Sequence, residues 1–194
     1  MFKILDEVCT PRRGTKYSAY VDLFAREDVV IGAGETKIVK LGVKIDLDML
    51  EKQYLQSLNK KIFNENISSS EYLRLIGLLE PFRKSHYLEV ALRSSLGVKG
   101  LIIANGIGII DLDYPDEIGL IVHNPYGIYE REYRTEGRLC GEVTTIETKK
   151  EPFEIKKGDK VAQCTLKEHK GYLMGYESEI ARVGGFGSTD KKVI

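Results

Sequence analysis

The stretch RSSLGVKGLIIANGIGIIDLDYPDEIGLIVHN, Arg93 to Asn124, decides the fold. Short apolar runs recur in it at Leu101 to Ala104, Gly108 to Ile110 and Ile118 to Val122, each bounded by Gly, Asn, Asp or Pro. Runs of this length with such punctuation predict short strands of a β domain. Asn105-Gly106 predicts a tight hairpin, whose tip presents backbone N–H and C=O groups to the edge of a flat base. Arg93 followed by Ser94 and Ser95 offers a guanidinium fork and two hydroxyls, a grip suited to phosphate. Asp111 closes an apolar strand pair, a place from which a carboxylate can orient and deprotonate water. Asp113 lies two residues on, and Tyr114 adds a flat, rigid wall.

Strand signals continue outward. Val29 to Ile31 run into Gly32-Ala33-Gly34, and Ile38 to Leu47 alternate with a slip near Val39 to Leu41 that predicts a bulge. Tyr87 to Leu92 and Val161 to Leu166 read as further strands, with a polar hairpin expected around Gly141. Between them the pattern turns helical. Asp48 is the expected N-cap of a first helix, Ser68-x-x-Glu71 a capping box for a second, and Pro81 its stop. The expected architecture is mainly β, a jelly roll or distorted barrel over residues 1–194 as one domain. It carries a helical hairpin inserted at 48–85, a polar insertion at 125–151, and a flexible Gly-rich C-terminal arm at 182–194. In that arm, Gly184-Gly185-Phe186-Gly187-Ser188-Thr189 sets one aromatic ring among donor-rich residues, as a flap over a base and its phosphates would need.

In order, these segments resemble the five motifs of the trimeric dUTPase family. The first is Ser18-Ala19-Tyr20-Val21-Asp22-Leu23 and the second Arg93-Ser94-Ser95-Leu96-Gly97-Val98-Lys99-Gly100. The third runs from Asn105 to Tyr114, the fourth is Gly158-Asp159-Lys160-Val161-Ala162-Gln163, and the fifth is the Gly184 to Thr189 run. Two departures stand out. Tyr20 and Val21 replace a Gly and a Tyr of the first motif, and Arg182 lies one residue nearer the Phe than the family's arginine, whose place is Ala181.

The resemblance implies hydrolysis of dUTP to dUMP and pyrophosphate, with Asp111 holding the water that attacks the α-phosphate. Arg93, Ser94, Ser95 and Gln163 would contact the phosphates. Asn105, Gly108, Ile109 and Ile110 would read uracil, and Tyr114 would pack on the deoxyribose. Arg182, Phe186, Gly187, Ser188 and Thr189 would close over the nucleotide from the arm. Mg²⁺ would rest on phosphate oxygens and water, with Asp22 reaching it through a water. The family's site is shared among three subunits, which implies a homotrimer with the arm supplied by another subunit. The same fold also hosts dCTP deaminases, whose second arginine and catalytic glutamate would fall at Val98 and Ile121, both apolar here. A bifunctional deaminase faces the same objection. A third reading is a dUTP-sensing regulator that acts through the helical insert.

Composition limits the alternatives. Lys and Arg total 29, as do Asp and Glu, so no broad basic coat for nucleic acid exists. No run approaches the roughly 18 apolar residues of a membrane span. Cys9, Cys140 and Cys164 form no CxxC, and His86, His123 and His169 form no HxxxH, so no zinc ligand spacing is present. The acidic start MFKILDEVCT lacks the apolar stretch of a signal peptide, and the expected location is the cytoplasm.

Overall fold

The computed structural model describes residues 1–58, 73–74, 77–126, 129–136, 142–149, 152–175, 182 and 184–185. Among them the chain is mainly β, and every strand pair is antiparallel. The largest sheet has five strands in the order β2 (Arg12–Arg13), β3 (Val21–Phe24), β14 (Lys160–Glu168), β7 (His86–Leu92) and β9 (Gly108–Asp111). A three-stranded sheet runs β5 (Thr36–Lys40), β10 (Gly119–His123), β8 (Ile102–Ile103). Three two-stranded ribbons complete it: β1 (Phe2–Ile4) with β6 (Val43–Ile45), β4 (Val29–Ile31) with β13 (Phe153–Ile155), and β11 (Tyr129–Glu136) with β12 (Glu142–Lys149).

Period-2 alternation makes the core. On β7 Leu88 and Val90 point inward, and on β10 Leu120 and Val122 do the same. They meet Leu23, Ile31, Val39, Val43 and Ile155 in one buried cluster. Each such side chain is worth about 1.5–3 kcal/mol when fully buried. On β14 the inward set slips. Val161 and Ala162 are both fully buried because the pairing with β3 shifts between Lys160 and Ala162, after which Gln163 faces out and Cys164 in.

Three sequence expectations need correction. The slip near Val39 to Leu41 is a corner, not a bulge. The chain leaves β5 at Lys40 and enters β6, in another sheet, at Val43. Gly42 makes the corner at φ +64°, and a Cβ there would stand 2.4 Å from Cys9 Sγ, so only glycine fits. The cap of α1 (Leu47–Leu58) is Asp46 rather than Asp48, because its Oδ1 accepts from Met49 N at 2.9 Å. Pro81 does not stop a helix. It sits in the first turn of α2 (Leu79–Ser85), where its missing N–H costs no hydrogen bond. The capping box at Ser68 and Glu71 lies outside the described residues, as do the tip of the hairpin around Gly141 and Cys140.

Candidate active site

The third motif brackets a crossing between the two main sheets. Residues 102–103 pair in the three-stranded sheet and residues 108–111 in the five-stranded one, so Asn105-Gly106 is not the tip of a β-hairpin. It is a turn that carries the chain from one sheet to the other. Gly106 N donates to Ile103 O at 3.2 Å, and Gly106 holds φ +78°. The crossing opens a cavity of about 210 Å³, lined by Asn105, Gly108, Ile109, Ile110 and Tyr114, with Ile103, Gly119, Leu120, Ile121 and Arg182. Apolar walls with exposed backbone polar groups suit a planar heterocycle.

Asp111 ends β9 beside this cavity. Tyr114 N donates to Asp111 O at 3.0 Å, closing a turn that leaves Asp111 and Asp113 exposed and buries Leu112 and Tyr114. Burial, and then the Asp116 charge, push the Tyr114 phenol up. Arg182 spans the turn. Its Nη1 pairs with Asp111 Oδ2 and lies 3.9 Å from Asp113 Oδ1, while its guanidinium sits 5.2 Å from the Tyr114 ring centre. Gly185 packs so close that a Cβ there would stand 2.2 Å from Tyr114 Cε2. Of the arm, Arg182, Gly184 and Gly185 are described, with Arg182 Nε donating to Gly184 O at 3.0 Å, while Phe186, Gly187, Ser188 and Thr189 lie outside the described residues.

The second and fourth motifs, with Asp22 of the first, meet elsewhere on the large sheet. Arg93 follows the last residue of β7, its N–H held by Val161 O at 3.0 Å. It opens α3 (Ser94–Val98), on which Ser94 and Ser95 are exposed. Arg93 Nη1 lies 2.7 Å from Asp22 Oδ1 and donates to Gln163 Oε1 at 3.2 Å. Asp22 is buried, and its other oxygen takes Lys160 Nζ at 3.3 Å. Arg93 Nε is buried without a hydrogen-bond acceptor among the described residues. A buried, unpaired guanidinium N–H beside two serines is a place an anionic oxygen would satisfy.

Asp111 pairs with Tyr87, six residues before Arg93 along the strand. At about 3.3 Å per residue that separates the two clusters by roughly 20 Å within one chain. Next to Asp111 on the outer face lies a third group. Glu89 is almost buried and accepts from the Tyr20 hydroxyl and, at 3.1 Å, from the Tyr87 hydroxyl. The Tyr20 hydrogen bond is the main reason its carboxyl is held below the ordinary range.

Sequence reasoning missed Lys160 and Glu89. Both owe their place to cross-strand pairing, and neither residue type at that spacing signals it. It also missed the walls supplied by Ile103 and Leu120, which read only as strand core.

No family model matches the chain. A deoxyuridine 5'-triphosphate nucleotidohydrolase of Rickettsia canadensis is 27% identical over 187 residues, covering 92% of this chain and 86% of the relative. The mouse protein of that name is 26% identical over 194 residues, covering 97% and 83%. Among solved structures, the dUTPase of Streptococcus mutans superposes with TM-score 0.52 at 19% identity, over 87% of this chain and 95% of that one. The dUTPase of Staphylococcus aureus phage phi11, in which a species-specific insert is visualised, gives TM-score 0.53 at 20% identity, over 97% of both chains. At these identities the structural likenesses speak for the fold alone.

Proposed function

The chain belongs to the dUTPase family, and we propose that it hydrolyses dUTP to dUMP and pyrophosphate at a site built on the Asp111–Tyr114 turn. It is a dUTP diphosphatase, an enzyme of nucleotide metabolism that keeps uracil out of DNA. The observation that carries the site reading is the cavity beside Asp111, lined by Asn105, Gly108, Ile109, Ile110 and Tyr114. Uracil fits against the backbone of 108–110 and the Asn105 amide. Cytosine presents the opposite donor pattern and would leave buried groups unpaired. Ile121, in the cavity wall, offers no carboxylate for a deaminase.

In this reading Asp111 accepts a proton from a water as that water attacks the α-phosphorus in line. The bond to the bridging oxygen of the β-phosphate breaks, and pyrophosphate leaves with the electron pair. Arg182, which lies on Asp111, shifts to the phosphates and frees the carboxylate. Arg93, Ser94, Ser95 and Gln163 hold the leaving group, with Phe186, Gly187, Ser188 and Thr189 closing over the nucleotide.

The donor set suits Mg²⁺ bound mainly by substrate. Among the described residues no three His, Cys, Asp or Glu side chains converge, and Asp22 is a single carboxylate beside the phosphate-binding Arg93. Such a set fits an ion that would keep its waters and phosphate ligands, and Asp22, which also holds Arg93 and Lys160, would accept from one of those waters. When bound, Mg²⁺ neutralises charge on the phosphate oxygens. A related phage phi11 dUTPase structure is described as coordinating a structural Mg(II) ion.

Adjacent phosphates of one nucleotide cannot reach both Asp111 and Arg93 across roughly 20 Å of one chain. A homotrimer, in which one copy lends its Asp111–Tyr114 turn to the Arg93 cluster of another, satisfies both. We take residues 1–194 as one domain with insertions at 48–85 and 125–151 and an arm at 182–194. The cytoplasm, with its nucleotide pools, is the proposed location. No helix among the described residues is long and apolar enough to cross a membrane.

The test is Asp111→Asn. Turnover should fall by about 10²–10⁴, the usual scale for a lost general base, with dUTP affinity largely kept. Near-normal turnover would sink the assignment. Mixing inactive Arg93→Ala and Asp111→Asn subunits should restore activity, because some mixed sites regain both groups. A monomer mass for the active enzyme would refute the sharing.

A further inference from the structure

We infer that the helical insertion is a brace that positions Asp111, with Phe82 and Leu50 acting as positioning residues through Leu112. The inference rests on the reading of Asp111 as the group that orients the water. Asp111 is poorly held by its own sheet. Among the described residues, strand β9 is an edge strand with β7 as its sole neighbour, and Asp111 is its last residue. A carboxylate on the last residue of an edge strand takes much of its position from what packs behind the turn that follows it.

That support comes from a second, smaller core, distinct from the one between the sheets. Leu112, next to Asp111, turns inward and is 5% exposed, packing with Leu50 of α1 and Phe82 of α2. Tyr54, Ile45 and Leu166 flank this cluster. Phe82 is 1% exposed, stacks on Tyr54 with ring centres 4.1 Å apart, and meets the His86 ring at 4.6 Å. His86 opens β7 and precedes Tyr87, the register partner of Asp111. Both flanks of Asp111 are therefore tied to the Phe82 cluster, Leu112 directly and Tyr87 through His86.

The two helices are in turn locked together. Arg83 of α2 donates through Nε and Nη2 to both oxygens of Glu51 of α1, the second contact at 3.0 Å, and Glu51 is 6% exposed. A displacement of a reacting group by even 1 Å costs about a hundredfold in rate. A cavity beneath Leu112 would therefore be read mainly in turnover, whereas the phosphate contacts, made by residues away from this turn, would be spared.

The experiment compares Phe82→Leu, Leu50→Ala and Phe82→Ala with Ile155→Ala, a variant in the main core rather than in the Leu112 cluster. Each is measured for kcat and KM on dUTP and for Tm. The expected result is a graded loss of kcat. Phe82→Leu should stay within about threefold of the parent, and the two alanine variants should fall tenfold or more, with KM within about threefold throughout. Ile155→Ala, at a similar loss of Tm, keeps its kcat. If Phe82→Ala does not fold, Leu50→Ala decides. Full kcat in a folded alanine variant whose Tm falls like that of Ile155→Ala overturns the brace. The reading of Asp111 itself fails separately, through near-normal turnover of Asp111→Asn.

Discussion

Asp22 holds Arg93 on the face of the large sheet that also carries Gln163, its register partner: its Oδ1 lies 2.7 Å from Arg93 Nη1, and its own side chain is almost fully buried. The two come from strands that do not touch each other, β3 and the end of β7, joined across β14. Asp22→Asn removes the charge that Arg93 and Lys160 share. Because Arg93 remains about one-third exposed, the expected cost is about 2 kcal/mol, below the full range for a broken buried pair. The KM for dUTP should rise more than kcat falls. Denaturant melts and steady-state kinetics check both.

Tyr114 should decide between deoxyribose and ribose. Its ring is 7% exposed and forms the cavity wall, so a 2′-hydroxyl meets a surface that cannot hydrogen-bond it. The parent enzyme should prefer dUTP over UTP strongly. Tyr114→Ala should narrow that ratio by tenfold or more. Equal rates of the parent on both nucleotides would remove the sugar-reading role.

Gly185 should not tolerate a side chain, because its Cβ would strike the Tyr114 ring at 2.2 Å. Gly185→Ala should lower turnover with the fold unchanged by circular dichroism. Deleting everything after Val183 should cut turnover further. Stacking on Phe186 supplies only about 1–3 kcal/mol, so the phosphate contacts of the arm must share the closure. A full rate in the truncated enzyme would show that the arm does not close the site.

Glu89 predicts an acid dependence of stability. Its carboxyl is depressed in the folded chain, chiefly by the Tyr20 hydroxyl and then by the Tyr87 hydroxyl. A depressed carboxyl stabilises above its unfolded pKa, and that contribution is lost as pH falls through the folded value. Glu89→Gln should therefore be less stable than the parent at neutral pH, and the gap should close below about pH 4. Urea melts across pH 3 to 7 measure it, and a constant gap would contradict the hydrogen-bond account.

Gly42→Ala should destabilise the fold without touching the site. The left-handed backbone and the Cys9 sulfur 2.4 Å from the new Cβ leave no relaxed solution. The expected loss is about 2 kcal/mol or more, read as a Tm several degrees lower.

The proposed site was assembled from the chain alone, before the fold was known. Arg93-Ser94-Ser95 reads as a phosphate grip, Asp111 as a carboxylate able to orient water and Tyr114 as a flat wall from local chemistry, and their proposed parts in dUTP hydrolysis come from the resemblance to the dUTPase motifs. Strand identity followed from period-2 alternation, and the helical character of Leu47–Leu58 from the change to helical period. What the sequence could not carry was everything set by pairing across the sheets. Asn105-Gly106 has the composition of a hairpin tip, but β8 and β9 find different partners, and the turn becomes a crossing that opens a cavity. Asp48 and Asp46 look alike as caps, and only the direction in which the chain leaves β6 selects Asp46. Lys160 and Asp22 are neighbours because β14 lies beside β3, and Leu112 is a brace point because two helices inserted far upstream fold back beneath it. Local chemistry is fixed by which residues are adjacent in the chain. Long-range contacts are chosen by whichever packing buries the most apolar surface at once, a property of the whole molecule rather than of any segment.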